Sequence, residues 1–233
     1  MRRTMPILAL LLAVALLYPG CGGSDLRAEV KRLLEGRIGE IRALSYACVT
    51  EDGERTYREE VGLRFPDAYV YRLYDTSGEE PRLLTVAAQA GTETFRAGTA
   101  SDGSGGAATL QVQRASSLPP LRSTGVYLSI YHLLGNGDYF QSLLSLLEAG
   151  ALEIKGREEF EGREAWLLQT AAGLQPDIRI WLDPESGLPL KKELAVSAER
   201  TLVFRYQEVR EDPDLGLEPF PPDISAFGVP PGS

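Results

Sequence analysis

Apolar and polar residues alternate along most of this chain, and that period of two restricts the fold more than any other feature. Tyr46, Cys48 and Thr50 alternate ahead of a turn at Glu51-Asp52-Gly53, and residues 56–65 resume the pattern. Beyond a turn at Phe65-Pro66-Asp67, Tyr69, Tyr71 and Leu73 fall on one face and Val70, Arg72 and Tyr74 on the other. Further strands are predicted at 83–88, 93–97 and 108–114. A second set begins where Leu152 and Ile154 alternate with Glu153 and Lys155, and turns near Glu161-Gly162-Arg163. Trp166 and Leu168 follow, then Ile178, Ile180 and Leu182 between Arg179, Trp181 and Asp183. After the tight turn Asp183-Pro184-Glu185-Ser186-Gly187, strands are predicted at 189–195 and 201–209, the latter with Leu202, Phe204 and Tyr206 on one face. Successive side chains of a strand point to opposite faces, so each strand has one face to bury. Short strands joined by Gly and Asp turns indicate antiparallel meanders.

Two segments break the period. Leu26, Val30, Leu33, Leu34, Ile38 and Ile41 form one helical stripe within residues 25–44. Gly36 and Gly39 weaken that helix, each by up to ~1 kcal/mol relative to Ala, so packing must hold it. Residues 123–134 and 138–149 read as two short helices joined by Gly135-Asn136-Gly137. The second carries Tyr139, Phe140, Leu143, Leu144, Leu146 and Leu147, an apolar surface too broad to face water. The expected fold class is therefore α+β: a curved antiparallel β-sheet, an incomplete barrel, wrapped around a few helices.

The N-terminus addresses the chain. Arg2 and Arg3 precede twelve uncharged residues, 7–18, a run well short of the ~20 needed to span a bilayer but suited to a signal peptide. Leu17-Tyr18-Pro19-Gly20-Cys21 resembles the bacterial lipobox at Gly20 and Cys21 and departs from it at Tyr18 and Pro19. The resemblance implies cleavage before Cys21 and acylation of its sulfur. An ordinary secretory signal with an incidental cysteine is the alternative. The expected division is a signal peptide at 1–20, lipidated Cys21 and a short tether at 21–24, and one domain at 25–233 ending in a Pro-rich tail from Asp212. Membrane lipid is then a partner through acylated Cys21, on the outer face of the cytoplasmic membrane or facing the periplasm.

Charge narrows the partners. The first twenty residues hold two of the 24 basic residues and no acidic one, so the remainder sets 22 basic against 33 acidic residues, a net charge of −11. That balance argues against nucleic acid and against docking on anionic lipid heads. With Cys21 acylated, Cys48 lacks an intrachain partner. A buried inert thiol is the expected state, an intermolecular disulfide the alternative.

Catalytic signatures are absent from the sequence. His132 is the sole histidine, in an apolar segment, and no Gly-x-Ser-x-Gly or His-Glu-x-x-His is present. Gly103-Ser104-Gly105-Gly106-Ala107-Ala108 satisfies a relaxed dinucleotide pattern, but no buried strand precedes it and no helix follows, so it reads as a loop. The pairs Glu59-Glu60, Glu79-Glu80 and Glu158-Glu159 read as solvated surface, since strand neighbours point to opposite faces. No enzyme activity, metal or cofactor is expected.

A family resemblance rests on particular residues. The order signal, lipobox, helix, meander, helix pair, meander is joined by Phe160-Glu161-Gly162-Arg163-Glu164-Ala165-Trp166 and by the hairpin from Ile178 to Lys191, with Asp183-Pro184-Glu185-Ser186-Gly187 at its tip. Phe204-Arg205-Tyr206 and Phe220, ahead of a Pro-Pro-Gly ending, complete it. The chain resembles the lipoprotein-carrier superfamily typified by LolA and LolB, and the lipid-carrying envelope lipoproteins of high-GC Gram-positive bacteria. The resemblance is strongest over 152–209. It implies a half-barrel with an apolar cavity for a lipid or a lipoprotein acyl chain, and a role in envelope lipid or lipoprotein handling. The lining residues it implies are Leu63, Phe65, Tyr69, Tyr71, Trp166, Leu168, Ile178, Ile180, Leu182, Phe204 and Tyr206, with unsatisfied hydroxyls of Tyr69, Tyr71 and Tyr206 lowering affinity. The same inward residues would equally make a dry packed core. Relatives in the anti-sigma-factor pathway imply the alternative of an envelope sensor using this fold as a protein-interaction module.

Overall fold

A computed structural model describes residues 22–64, 68–100, 109–115, 139–211 and 220–227. The expected signal peptide, Cys21, Phe65 and its turn, the loop at 103–108, the helix at 123–134 with His132, and most of the Pro-rich tail lie outside the described residues. The chain opens with helix α1 (Gly22–Arg37), followed by β1 (Ala43–Asp52), β2 (Arg55–Arg64), β3 (Ala68–Asp75), β4 (Arg82–Ala90), β5 (Glu93–Ala100) and β6 (Thr109–Ala115). Helix α2 (Tyr139–Glu148) leads to β7 (Leu152–Phe160), β8 (Arg163–Thr170), β9 (Asp177–Leu182), β10 (Pro189–Ser197) and β11 (Arg200–Glu211).

The eleven strands form one sheet in the order β6-β5-β4-β3-β2-β1-β11-β10-β9-β8-β7. Every pairing is antiparallel. Two meanders thus grow outward from a shared seam, where β1 pairs with β11. Their last strands, β6 and β7, do not pair with each other among the described residues, so the barrel is open as expected. The exposed β7 edge is blunted by Glu153, Lys155 and Arg157 and by a bulge at Gly156. Glu161 and Gly162, both at positive φ (51° and 77°), make the two-residue turn that suits the strand twist between β7 and β8.

Helix α1 ends at Arg37, seven residues before the expected end at 44, and it takes in Gly22–Ser24, which the sequence assigns to a tether. Gly39, at φ +75°, turns the chain out of the helix, and Ile38 and Ile41 still pack against the core from that turn. Arg37 closes the helix end: its guanidinium pairs with Glu40 and with Glu211 of β11, and lies 5.3 Å from the centre of the Phe140 ring.

One apolar cluster joins α1 (Leu26, Val30, Leu34) and α2 (Tyr139, Phe140, Leu143, Leu147) to the inner face of the sheet. The 183–187 turn fastens this end. Asp183, itself buried, accepts hydrogen bonds from the amides of Glu185 (2.8 Å) and Ser186 (3.2 Å) and pairs with Arg163. That fixed loop presents Gly187 to the helices, where an added Cβ would lie 3.1 Å from Phe140 and 3.4 Å from Leu33. The helices therefore fill the end of the inner face where β1 starts and β11 stops. The other end is left uncovered by them.

Candidate functional site

The site follows from strand register. Directly opposed residues of paired strands share a face. Cys48 stands opposite Glu59 on β2 and Tyr206 on β11, and Thr50 stands opposite Tyr57 and Phe204. Phe204 in turn faces Lys192 on β10. On the other side Val61 faces Tyr71, Tyr71 faces Ala87, and Ala87 faces Arg96. Thr50, Glu59, Tyr71, Arg96, Lys192 and Phe204 accordingly all project from the inner face.

There the sheet holds a cleft of about 830 Å³, within the ~300–1,000 Å³ usual for small-molecule sites. Its apolar walls are Leu73, Leu84, Leu194, Val196, Leu202 and Phe204. Its polar side chains include Thr50, Tyr57, Glu59, Tyr71, Thr85 and Arg96. No residue of α1 or α2 is among its described lining residues, so the cleft lies beside the helix-packed core on the same face, with Tyr71, Leu202 and Phe204 belonging to both.

The rim and the depth differ in character. At the rim, Arg200 grips Asp52 through two hydrogen bonds of 2.8 and 2.6 Å and holds that carboxyl below the usual carboxylate range. The pair ties the β1–β2 hairpin to the β10–β11 hairpin, though exposed pairs of this kind stabilise little. Beside the rim, Val196 is exposed, as is Leu174 just ahead of the lining residues Gln175 and Pro176. Deeper in, Glu59 is only 2% exposed and Tyr71 fully buried. The Tyr71 hydroxyl and the Thr50 hydroxyl are both buried without a hydrogen-bond partner. Burial pushes the Tyr71 phenol well up; the nearby Glu59 carboxylate adds to the shift, and Arg96 opposes it. Behind Phe204, Lys192 Nζ lies 4.2 Å from the ring centre, and burial lowers its ammonium to about 8 against the pull of Cys48 and Glu59.

Of the residues the sequence singles out for an acyl cavity, Tyr71 and Phe204 line this cleft, and both also belong to the helix-packed cluster. Leu63, Tyr69, Trp166, Leu168, Ile180, Leu182 and Tyr206 belong to the helix-packed cluster, and Ile178 packs against it half-buried. Phe65 and Cys21 lie outside the described residues. Among the three tyrosines expected to tune affinity, Tyr71 carries the unpartnered hydroxyl, whereas Tyr206 packs on Tyr46 with ring centres 5.9 Å apart. Cys48 is a buried thiol in no disulfide among the described residues.

Glu59 corrects the reading of Glu59-Glu60 as a solvated pair: it alternates with Tyr57 and Val61, so it must follow them inward. Lys192 was not open to the same logic, because a bulge between Pro189 and Lys191 leaves Leu190 packed with Trp181 on the other face while Lys192 stands opposite Ile180. Among the described residues no group of three or more His, Cys, Asp or Glu is placed to hold a metal ion, and no helix is long and apolar enough to cross a membrane.

No family model and no curated protein matches the sequence. In fold the chain is similar to several solved structures. The Pseudomonas aeruginosa MucA/MucB complex aligns at 17% identity and a TM-score of 0.43, covering 80% of this chain and 56% of that one. The Mycobacterium tuberculosis lipoprotein LppX aligns at 12% identity and 0.40, covering 81% and 97%. A LolA superfamily protein of Nitrosomonas europaea aligns at 13% and 0.30, covering 80% and 94%. The chain thus spans little more than half of the MucA/MucB chain it matches. At these identities the likeness concerns the course of the chain, and no residue role is carried across.

Proposed function

We propose that this chain is a lipid-anchored, extracytoplasmic protein that binds a lipid or an acyl chain in the cleft, without catalysis, in the handling of envelope lipid or lipoprotein. The observation that carries the reading is the cleft itself: about 830 Å³ of space with apolar walls on a face that is otherwise packed by two helices. The lipobox-like sequence ending at Cys21 supports the location.

Energetics limit what such a cleft does. Moving a ~16-carbon chain from water to an apolar site gains roughly 13 kcal/mol at ~0.8 per methylene, but moving it from a bilayer gains almost nothing. A binder that loads from membrane and releases again needs an interior about as apolar as the membrane. Buried hydroxyls such as those of Thr50 and Tyr71 keep the empty cleft from being greasier than that.

The test uses the chain with Cys21→Ser, purified without detergent and extracted for mass spectrometry, then titrated with a fluorescent fatty acid. Copurified lipid or saturable uptake at one site per chain is expected. Empty protein with no uptake overturns the proposal, and capture of a single-pass membrane protein by such empty protein would favour the sensor alternative.

A further inference from the structure

We infer that the cleft takes its amphiphile head-first, and that the head it accepts is uncharged and bears oxygen, such as the hydroxyls and ester of an acylglycerol. The inference rests on the amphiphile-binding reading and goes further by fixing the orientation and head-group class. Three observations carry it.

Polarity reaches the deep end. A site built only for hydrocarbon would be apolar at its deepest point. Here the mouth carries the paired Asp52 and Arg200 beside exposed Val196, and the deep end is polar as well, with Thr50, Glu59 and Tyr71, of which Glu59 and Tyr71 are 2% and 0% exposed. The walls between them include Leu73, Leu84, Leu194 and Leu202. A tail lying along those walls places the head beside the buried hydroxyls.

Two hydroxyls there lack partners. An unmet buried polar group costs ~1–3 kcal/mol, and a ligand oxygen that meets it recovers that cost. Thr50 and Tyr71 are the two groups that line the cleft and are buried with unmet hydroxyls among the described residues.

Charge selects against ionised heads. The lining carboxylates Asp52 and Glu59 are balanced by Arg96 and Arg200, and Asp52 is already closed on Arg200. At the deep end Tyr71 stands in the field of both Glu59 and Arg96. An anionic head bonded to Tyr71 would meet Glu59, and a cationic head would meet Arg96. In a poorly solvated site either like-charge meeting is costly.

The experiment is competition for the cleft. The chain is loaded with the neutral fluorophore N-phenyl-1-naphthylamine and displaced by monopalmitoylglycerol, palmitate or hexadecyltrimethylammonium, all below micelle formation. Monopalmitoylglycerol is expected to bind at least about tenfold tighter than either charged amphiphile, the smallest effect expected of a like charge nearby in a buried site. Tyr71→Phe should reduce that preference about three- to tenfold, the worth of one hydrogen bond, and Thr50→Val should act in the same direction. Both empty variants should unfold at or above the parent midpoint, because neither removes a bond within the protein. Equal displacement by all three, or preference for a charged amphiphile, overturns the inference while leaving amphiphile binding intact. Failure of all three to displace, with no fluorophore bound, overturns amphiphile binding itself. A lower midpoint for empty Tyr71→Phe would show that the hydroxyl is partnered inside the fold and likewise overturns the inference.

Discussion

Replacing Gly187 by Ala tests how the two helices are seated on the sheet. Gly187 has φ +71°, and a Cβ there would lie 3.1 Å from Phe140 Cε1, 3.4 Å from Leu33 Cδ2 and 3.6 Å from Leu34 Cδ2. The left-handed conformation alone costs a non-glycine residue roughly 1–2 kcal/mol. The contacts add to this, because Phe140 and Leu34 are fully buried and cannot swing into solvent. Overpacking a filled core costs about 1–3 kcal/mol, so the two effects together come to about 2–5 kcal/mol. For a domain of this size each kcal/mol moves the unfolding midpoint by about 2–4 °C, which predicts a fall of about 4–20 °C. Gly53→Ala is the internal control: its φ is +61°, but a Cβ there meets nothing within 4 Å. Thermal unfolding by circular dichroism should show Gly187→Ala losing clearly more than Gly53→Ala, the difference being the packing against α1 and α2. Amphiphile affinity below the transition should be the same in Gly187→Ala as in the parent, since the cleft is at the other end of the face. Equal losses in the two variants would refute the helix placement from which the cleft is argued.

Further outcomes follow from the same geometry. Lys192 is protonated up to its ordinary value of 10.5 in the unfolded chain but only to about 8 in the folded one. The unfolded state therefore binds more protons between those values, and stability should rise with pH across that window by up to about 3 kcal/mol. Tyr71, Tyr139 and Tyr206 act with the opposite sign: burial raises their phenols, so above pH 10 the unfolded chain loses protons that the folded one keeps, and stability should fall. A midpoint measured against pH should pass through a maximum near pH 10, and Lys192→Met should remove the rising limb; a flat profile from pH 8 upward would contradict the burial of that ammonium. Leu194→Trp should fill the cleft, weakening fluorescent fatty-acid binding by about tenfold or more with little change in midpoint, and undiminished binding would place the ligand elsewhere.

Much of the architecture was legible in the sequence because a half-buried strand writes its two faces into alternate residues. The turn at Glu161-Gly162 and the loop from Asp183 to Gly187 announced themselves through Gly162 and Gly187, which accept positive φ without strain. The end of α1 was less legible: Ile38 and Ile41 continue a helical stripe, yet an inward side chain satisfies the core equally from a turn, and Gly39 decides where the helix stops. The site was legible only as a face. Tyr71 and Trp166 carry the same inward signal and both join the helix-packed cluster, but of the two only Tyr71 also lines the cleft. That division is set by where α1 and α2 come to rest, and no local pattern encodes it. Glu59 was in principle readable, since a charged residue in an apolar period follows its neighbours inward, but composition alone favours placing such residues in water; Lys192 was not, because the bulge just before it breaks the period.

An amphiphile seated in the cleft would have its tail end at the mouth. Crystals of the Cys21→Ser chain grown with a monoacylglycerol brominated at the end of its acyl chain would locate the bromine by anomalous scattering. The prediction is bromine near the mouth, beside Val196 and Pro176, with the glycerol head against Tyr71 and Thr50. Crystals without bromine in the cleft, or with bromine only on the outer face of the sheet, would contradict it.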